Sequence, residues 1–135
     1  MKTLLLAICL TGCGAQTICA TREAQKLDPN MNDSIAEAVA YWEDRGYSGL
    51  TATDGFNCDV PVRPAPMQPV AHAQTIHTVM SDDCWPDFIE VNPDRWNEVM
   101  ERDARTMVLA HEVGHLHCLD DADGGEDAMS LKWHN

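Results

Sequence analysis

The segment His-Glu-Val-Gly-His at residues 111–115 constrains this chain more than any other feature of its sequence. His111 and His115 are four residues apart, so on an α-helix they lie on one face, one turn from each other. An apolar run at residues 106–110 leads directly into the motif and predicts a helix that is largely buried. Two imidazoles and the Glu112 carboxylate are costly to bury without partners, and a shared metal ion would remove that cost.

This spacing is typical of zinc hydrolases. Neutral imidazole is a common zinc ligand, and a carboxylate that follows the first ligand lies close to where a water on the metal would sit. The pattern predicts His111 and His115 as zinc ligands and Glu112 as the catalytic base. The competing interpretation is a polar surface helix that carries two histidines by chance, and the apolar run before the motif argues against it.

A catalytic zinc site usually has a third protein ligand and one open position. Several residues beyond His115 have suitable side chains: His117, Asp120, Asp121, Asp123, Glu126 and Asp127. His117 would point away from the face that carries the two ligands for as long as the helix continues. To bring any of the others to the metal, the chain must leave the helix near Cys118 and turn back.

This segment resembles the metzincin zinc peptidases, especially the matrixin-like members. Their signature is His-Glu-x-x-His-x-x-Gly-x-x-His, and some bacterial members have Asp in place of the last His. The resemblance implies Asp121 as the third ligand, with Asp120 as the alternative, and it implies zinc as the cofactor. Met129, eight residues after Asp121, resembles the methionine of the Met-turn that lies beneath the zinc in this clan.

One residue departs from the signature. Cys118 stands where the family has glycine, which turns sharply because it has no Cβ. Cysteine tolerates positive φ poorly, so we expect either a different turn or a partner that holds Cys118 in place. A calcium loop is a second interpretation of residues 121–124, but an EF-hand in that register would need oxygen ligands at Leu119 and Ser130, the last a Glu. A solvated acidic loop is the simpler interpretation, and a nonstandard calcium site stays open.

The first residues predict export. A charged start and a short apolar stretch end in Leu-Thr-Gly-Cys, which resembles the lipobox of bacterial lipoproteins. We therefore expect a signal peptide over residues 1–12, a lipidated Cys13 that begins a tether over 13–30, and a catalytic domain over 31–135. The protein would be anchored to the cell envelope, at the outer membrane or in the periplasm, or secreted. An ordinary secretory signal cut between residues 15 and 20 is the alternative.

Export places the remaining cysteines in an oxidising compartment, where disulfides form. Cys19, Cys58, Cys84 and Cys118 allow three pairings, and we favour a bond from Cys118 to either Cys58 or Cys84. The formal net charge of −13 argues against nucleic acid or an anionic membrane as partners. We expect a monomer that acts on a protein or peptide and touches the membrane only through its lipid.

The pattern of the remaining chain predicts an α+β fold, and the resemblance implies a small metzincin-like zinc protease domain with a twisted mixed sheet and two main helices. A helix is predicted over 32–45, with a capping box at 34–37 and Gly46 at its end. An extended segment is predicted at 49–53, and strands are predicted at 70–80 and 88–91. Two helices or one broken helix should follow over 93–118, beginning with an Asn92 cap. Four prolines predict a surface loop or edge over 58–70.

Together these features predict a zinc-dependent metalloendopeptidase that hydrolyses peptide bonds by Glu112-assisted attack of zinc-bound water. Residues 70–73 resemble the matrixin edge strand along which an extended peptide binds. His72 and His77 are predicted to be ordinary strand residues rather than zinc ligands. Two other functions stay open: a lipid-anchored zinc-binding module without turnover, and a zinc hydrolase of cell-wall peptides.

Overall fold

Strands and helices are mixed along the described part of the chain in the computed structural model, which covers residues 16–66, 72–76, 88–98, 101–119 and 128–130. The α+β class predicted from the sequence is confirmed. The elements in chain order are β1 (Gln16–Ala20), α1 (Arg22–Leu27), α2 (Met31–Glu43), β2 (Leu50–Ala52), β3 (Val60–Pro64), β4 (Ala73–Ile76), β5 (Phe88–Val91), α3 (Pro93–Trp96), α4 (Arg102–Leu116) and a 3-10 turn (Ala128–Ser130).

The five strands form one mixed sheet in the order β2-β1-β3-β5-β4. The pairs β2–β1, β1–β3 and β3–β5 are parallel, whereas β4 runs antiparallel to β5 at one edge of the sheet. Helices α2 and α4 contact each other, and each also contacts the sheet. The alternate residues of β1, β3 and β5 that face these helices are buried, namely Ile18, Ala20, Val60, Val62, Ile89 and Val91. The predicted mixed sheet and two main helices are present.

β1 corrects the prediction of a tether over residues 13–30. The strand lies between β2 and β3, and Ile18, Cys19 and Ala20 have no exposed surface. α1 follows at once, because the Thr21 hydroxyl caps it by accepting a hydrogen bond from the backbone N–H of Ala24 at 3.2 Å. In β1 two polar residues are followed by three apolar residues, so the alternation typical of a half-buried strand is absent, and the sequence pattern missed a central strand.

β3 corrects the prediction that the proline-rich segment forms a loop or an edge. Pro61 and Pro64 lie in a strand with a neighbour on each side. Successive residues of a strand direct their N–H groups to opposite neighbouring strands. The Val62 carbonyl accepts from the N–H of Thr21, just after β1, and the Ala65 N–H donates to the carbonyl of Val91, the last residue of β5. The backbone nitrogen of Pro61 is therefore on the β5 side of the strand, at a level that precedes the paired residues of β5. The backbone nitrogen of Pro64 is on the β1 side, beyond the last residue of β1. Neither proline removes a hydrogen bond from the ladder.

The helix boundaries follow their caps. α2 begins at Met31 after Asn30, so Ser34 is an internal, buried residue and the predicted capping box at 34–37 is wrong. Gly46, predicted to end this helix, follows it with a φ of 93°. The Asn92 cap is confirmed, since its side chain accepts from the N–H of Asp94 at 3.0 Å. Two separate helices, α3 and α4, then follow, which the sequence left as one of two possibilities.

A disulfide joins Cys19 to Cys58. Cys19 lies opposite Pro61 in the pairing of β1 with β3, and Cys58 lies two residues before β3, so the two Cα atoms are 6.0 Å apart. The predicted alternative that paired Cys58 with Cys118 is therefore wrong. Cys84 lies outside the described residues. Over the part of the chain that the structure describes, there is no helix with the length and apolar character needed to cross a membrane.

Candidate metal centre

Helix α4 carries the His-Glu-x-x-His motif in its second half, as the sequence predicted. The apolar residues that precede it, Val108, Leu109 and Ala110, are fully buried. His111 is also fully buried, Glu112 is 1% exposed, and His115 is half-buried. One ligand atom from each of His111, Glu112 and His115 lies within 4.8 Å of the others, a separation compatible with a shared metal ion.

Backbone carbonyls fix the orientation of both imidazoles. His111 Nδ1 is 3.0 Å from the carbonyl oxygen of Ala128, and His115 Nδ1 is 2.8 Å from that of Leu119. A carbonyl oxygen only accepts, so each Nδ1 carries the proton and donates it. In the neutral ring, Nε2 then bears the lone pair that a metal ion takes. Metal-binding histidines are held in this way in general, which supports the assignment of both residues as ligands.

The two imidazoles are also set at different angles. Their ring centroids are 4.9 Å apart and their planes are perpendicular, at 90°. Both rings belong to one face of α4, so the helix fixes their spacing while the two carbonyls fix their rotation. The donor set of two imidazoles and a nearby carboxylate fits zinc, which is bound by nitrogen and oxygen ligands of this kind.

Gly114, between the two histidines, lets the turn at Met129 approach α4 closely. A Cβ at Gly114 would collide with Met129 Sδ and lie 2.9 Å from Trp42 Cζ2. Only glycine fits between these side chains, which explains a helix-weakening residue inside the motif. Met129 is 2% exposed and lies against the helix that carries both histidines. Its role as the methionine of a Met-turn stays a prediction.

Helix α2 supports the site through two aromatic residues at its C-terminal end. Trp42 Nε1 donates to the carbonyl of Ala110 at 2.6 Å, directly before His111. The Tyr41 hydroxyl accepts from the N–H of Ala128 at 2.8 Å, and the rings of Tyr41 and Trp42 pack edge to face at 4.9 Å. Sequence reasoning gave neither Trp42 nor Tyr41 a part in the site, because contacts so distant in the chain leave no periodic signal.

The turn after α4 keeps the geometry that glycine usually provides. Cys118 has a φ of 67°, its N–H donates to the His115 carbonyl at 3.2 Å, and the Leu119 N–H donates to the Gly114 carbonyl at 3.1 Å. These two hydrogen bonds and the left-handed residue define a Schellman motif. Cys118 is disulfide-bonded, and its partner lies outside the described residues because Cys19 and Cys58 bond to each other. The disulfide is therefore the expected partner that holds Cys118 in its left-handed conformation.

His117 is not part of the metal group among the described residues. Its ring packs against Tyr47, with centroids 5.3 Å apart. Burial lowers the pKa of His117, and the charge of Glu43 opposes this in part. The sequence prediction that His117 points away from the ligand face agrees with this placement.

The structure does not bring together every predicted site residue. Cys13 and His77 lie outside the described residues, and their assignments stay predictions. The same holds for five of the candidates for the third ligand, namely Asp120, Asp121, Asp123, Glu126 and Asp127. His72 precedes β4, where its Nε2 lies 3.5 Å from Arg95 Nη2. Among the described residues it does not belong to the metal group.

The fold and this site define an α+β protein with a candidate metal centre of two histidines and a glutamate on one helix. Compared with known proteins, the sequence matches no family model and no curated protein. The geometry of the site and the sequence of residues 111–121 are therefore the features that indicate a function.

Proposed function

We propose that this protein is a zinc-dependent metalloendopeptidase of the metzincin type. One observation carries the proposal: His111 and His115 share a face of a buried helix and donate their Nδ1 protons to backbone carbonyls. This arrangement leaves both Nε2 atoms available as ligands. One ring nitrogen of each histidine lies within 4.8 Å of a Glu112 carboxylate oxygen. The match of residues 111–121 to the matrixin-like signature supports the same conclusion and adds Asp121 as the third ligand.

Bound zinc would polarise the scissile carbonyl and make a water more acidic. In this proposal Glu112 accepts a proton from the attacking water and later delivers it to the leaving amine. Glu112 suits this role because α4 fixes it beside the two ligands and burial keeps bulk water away from its carboxylate. The carbonyls of Ala128 and Leu119 keep both imidazoles in the tautomer that binds a metal.

The edge of the sheet supplies a place for a peptide. Within the described residues β4 pairs only with β5, and it runs antiparallel to it. An extended substrate could add to this edge by main-chain hydrogen bonds, which favour a polypeptide over other hydrolysable compounds. α4 contacts β4, so the strand and the candidate centre belong to neighbouring elements.

We also propose that the protein acts outside the cytoplasm as a lipoprotein. The Cys19–Cys58 disulfide supports an oxidising compartment. β1 begins three residues after Cys13, and three extended residues span about 10 Å. A lipid on Cys13 would therefore hold the catalytic domain against the bilayer instead of on a long tether, which favours substrates at the membrane surface.

The proposal is tested by cleavage of an unstructured protein, with wild-type protein and Glu112→Gln compared at equal zinc content. Amide for carboxylate keeps the shape and removes the base, so we expect zinc binding to persist and cleavage to fall about 10²- to 10⁴-fold. Asp103→Asn is the matched control, because Asp103 is an exposed carboxylate in the first turn of the same helix. It should retain full cleavage.

Other results would select a different function. Wild-type protein that holds one zinc ion per chain yet cleaves no protein or peptide would be the lipid-anchored binding module. Cleavage of isolated cell-wall peptides without cleavage of protein would identify the cell-wall hydrolase. A wild-type protein that binds no zinc would refute all three.

A further inference from the structure

Tyr41 is connected to His111 through a single residue. The Tyr41 hydroxyl accepts a hydrogen bond from the N–H of Ala128 at 2.8 Å. The carbonyl of the same residue accepts the Nδ1 proton of His111 at 3.0 Å. Ala128 is fully buried at the start of a 3-10 turn, so both of its backbone polar groups need protein partners.

Tyr41 is itself held firmly in place. Its ring packs edge to face on Trp42, whose indole donates to the carbonyl of Ala110 beside His111. The Arg45 guanidinium also lies 3.6 Å from the centre of the Tyr41 ring and donates to the Tyr41 carbonyl at 2.9 Å. The hydroxyl therefore occupies a defined position on α2, and Ala128 is fixed relative to that helix.

We propose that Tyr41 is a positioning residue that sets the orientation of the first metal ligand through Ala128. This inference rests on the proposed zinc site and deepens it, because it names a residue of α2 on which the metal affinity depends. Without the hydroxyl, the buried N–H of Ala128 must find another acceptor, and the turn must shift to reach it. That shift moves the carbonyl that holds His111 Nδ1.

The first test compares the zinc affinity of wild-type protein, Tyr41→Phe and Tyr47→Phe, measured per folded molecule by competition with a chromophoric chelator. Groups that orient metal-binding histidines change metal affinity by about 10- to 100-fold, and we expect Tyr41→Phe to weaken zinc binding about tenfold. Tyr47→Phe is the matched control. Tyr47 also packs edge to face on Trp42, at 5.6 Å, and within the described residues its hydroxyl has no hydrogen bond.

A spectroscopic measurement separates orientation from general loosening. Co²⁺ in place of zinc gives visible absorption bands that depend on ligand geometry. We expect the cobalt bands of Tyr41→Phe to shift, while those of Tyr47→Phe match wild type. A variant that is merely less stable would bind cobalt with an unchanged spectrum in its folded fraction.

Ala128→Pro tests the same hydrogen bond from its other end, since proline lacks the N–H but keeps the carbonyl. It should weaken zinc binding as Tyr41→Phe does, and the double variant should be no weaker than the more affected single one, because only one hydrogen bond is lost. Affinity and cobalt spectrum of Tyr41→Phe equal to those of Tyr47→Phe would overturn the role of Tyr41 and leave the zinc site standing. Wild-type protein without metal affinity would overturn both proposals.

Discussion

The two halves of helix α4 are attached to the rest of the molecule by different kinds of bond. In the first half, charged side chains make the connections: Arg102 to Glu37 at 2.9 Å, and Arg105 to Asp28 at 3.1 Å. In the second half, the side chains of His111 and His115 donate to backbone carbonyls, that of Ala128 in the 3-10 turn and that of Leu119 in the turn that ends the helix. Ion pairs between side chains tolerate small displacements, whereas a carbonyl aimed at a ring nitrogen fixes the angle of the ring.

This difference indicates that the two halves of α4 have different roles. The first half anchors α4 to α1 and α2 and contributes mainly to stability. The second half orients the candidate metal ligands and contributes mainly to function. Substitutions in the first half should therefore change the free energy of unfolding without changing zinc affinity, and substitutions at the helix end should change both.

The largest effect is expected at Arg105. Asp28 is 2% exposed and accepts hydrogen bonds from both Arg105 and the indole of Trp96. Arg105→Met keeps most of the apolar stem and removes the charge, which leaves the carboxylate buried without its cation. We expect a loss of about 3 kcal/mol in the free energy of unfolding, measured by denaturant titration. The zinc affinity of the folded protein should stay within about twofold of wild type.

Two controls make this prediction sharp. Arg22→Met removes an exposed arginine that contacts the ring of Phe56 at 4.3 Å, and it should change stability by less than about 0.5 kcal/mol. Asp28→Asn in the Arg105→Met background removes the unpaired charge and should recover part of the loss. If Arg105→Met instead weakened zinc binding tenfold in the folded state, the two halves of α4 would not be separable.

A smaller effect is expected at Cys118, where the left-handed turn ends the helix. Cys118→Ala and Cys118→Gly both lack the disulfide, so their difference isolates the cost of φ at 67°. Glycine avoids that cost, and we expect Cys118→Gly to be more stable than Cys118→Ala by about 1 kcal/mol. Since the turn carries the Leu119 carbonyl that holds His115, the glycine variant should also bind zinc more tightly.

The control compares the stability of alanine with that of glycine at an ordinary helical position. Ala36 is exposed in the interior of α2, and Ala36→Gly should lower stability by about 1 kcal/mol. Glycine would thus stabilise one position and destabilise the other. Equal stability of the alanine and glycine variants at Cys118 would show that the turn relaxes to another conformation once the disulfide is absent.

Prediction from sequence succeeded where a short segment carries a distinctive local signal. The motif at 111–115, the strand at 88–91 and the Asn92 cap were all predicted, because local periodicity and capping chemistry specify them. β1 and β3 were missed, since β1 shows no alternation of polar and apolar residues and the prolines of β3 are compatible with a central strand only through its offset partners. Of the site, the motif gave His111, Glu112 and His115. Ala128 and Tyr41 could not be inferred, because hydrogen bonds between distant backbone and side-chain groups leave no pattern in the sequence.

The smallest effect is expected at the exposed ion pair of the first half. The hydrogen bond from Arg102 holds the pKa of Glu37 below its ordinary value of 4.5, with a further contribution from the Thr106 hydroxyl at 3.2 Å. The folded state therefore binds a proton at Glu37 less readily than the unfolded state does. The resulting stability is present above about pH 4.5 and is lost as the pH falls through the lowered pKa.

Solvent reduces this contribution, because the Arg102 and Glu37 side chains are 47% and 53% exposed. Glu37→Gln should lower the thermal unfolding midpoint at pH 7 by an amount barely above the reproducibility of the measurement, and 1 M salt should erase the difference. Wild type and Glu37→Gln should converge as the pH is lowered below 4.5. A large, salt-resistant loss in Glu37→Gln would show that this exposed pair, and not the buried Asp28–Arg105 pair, anchors the first half of α4.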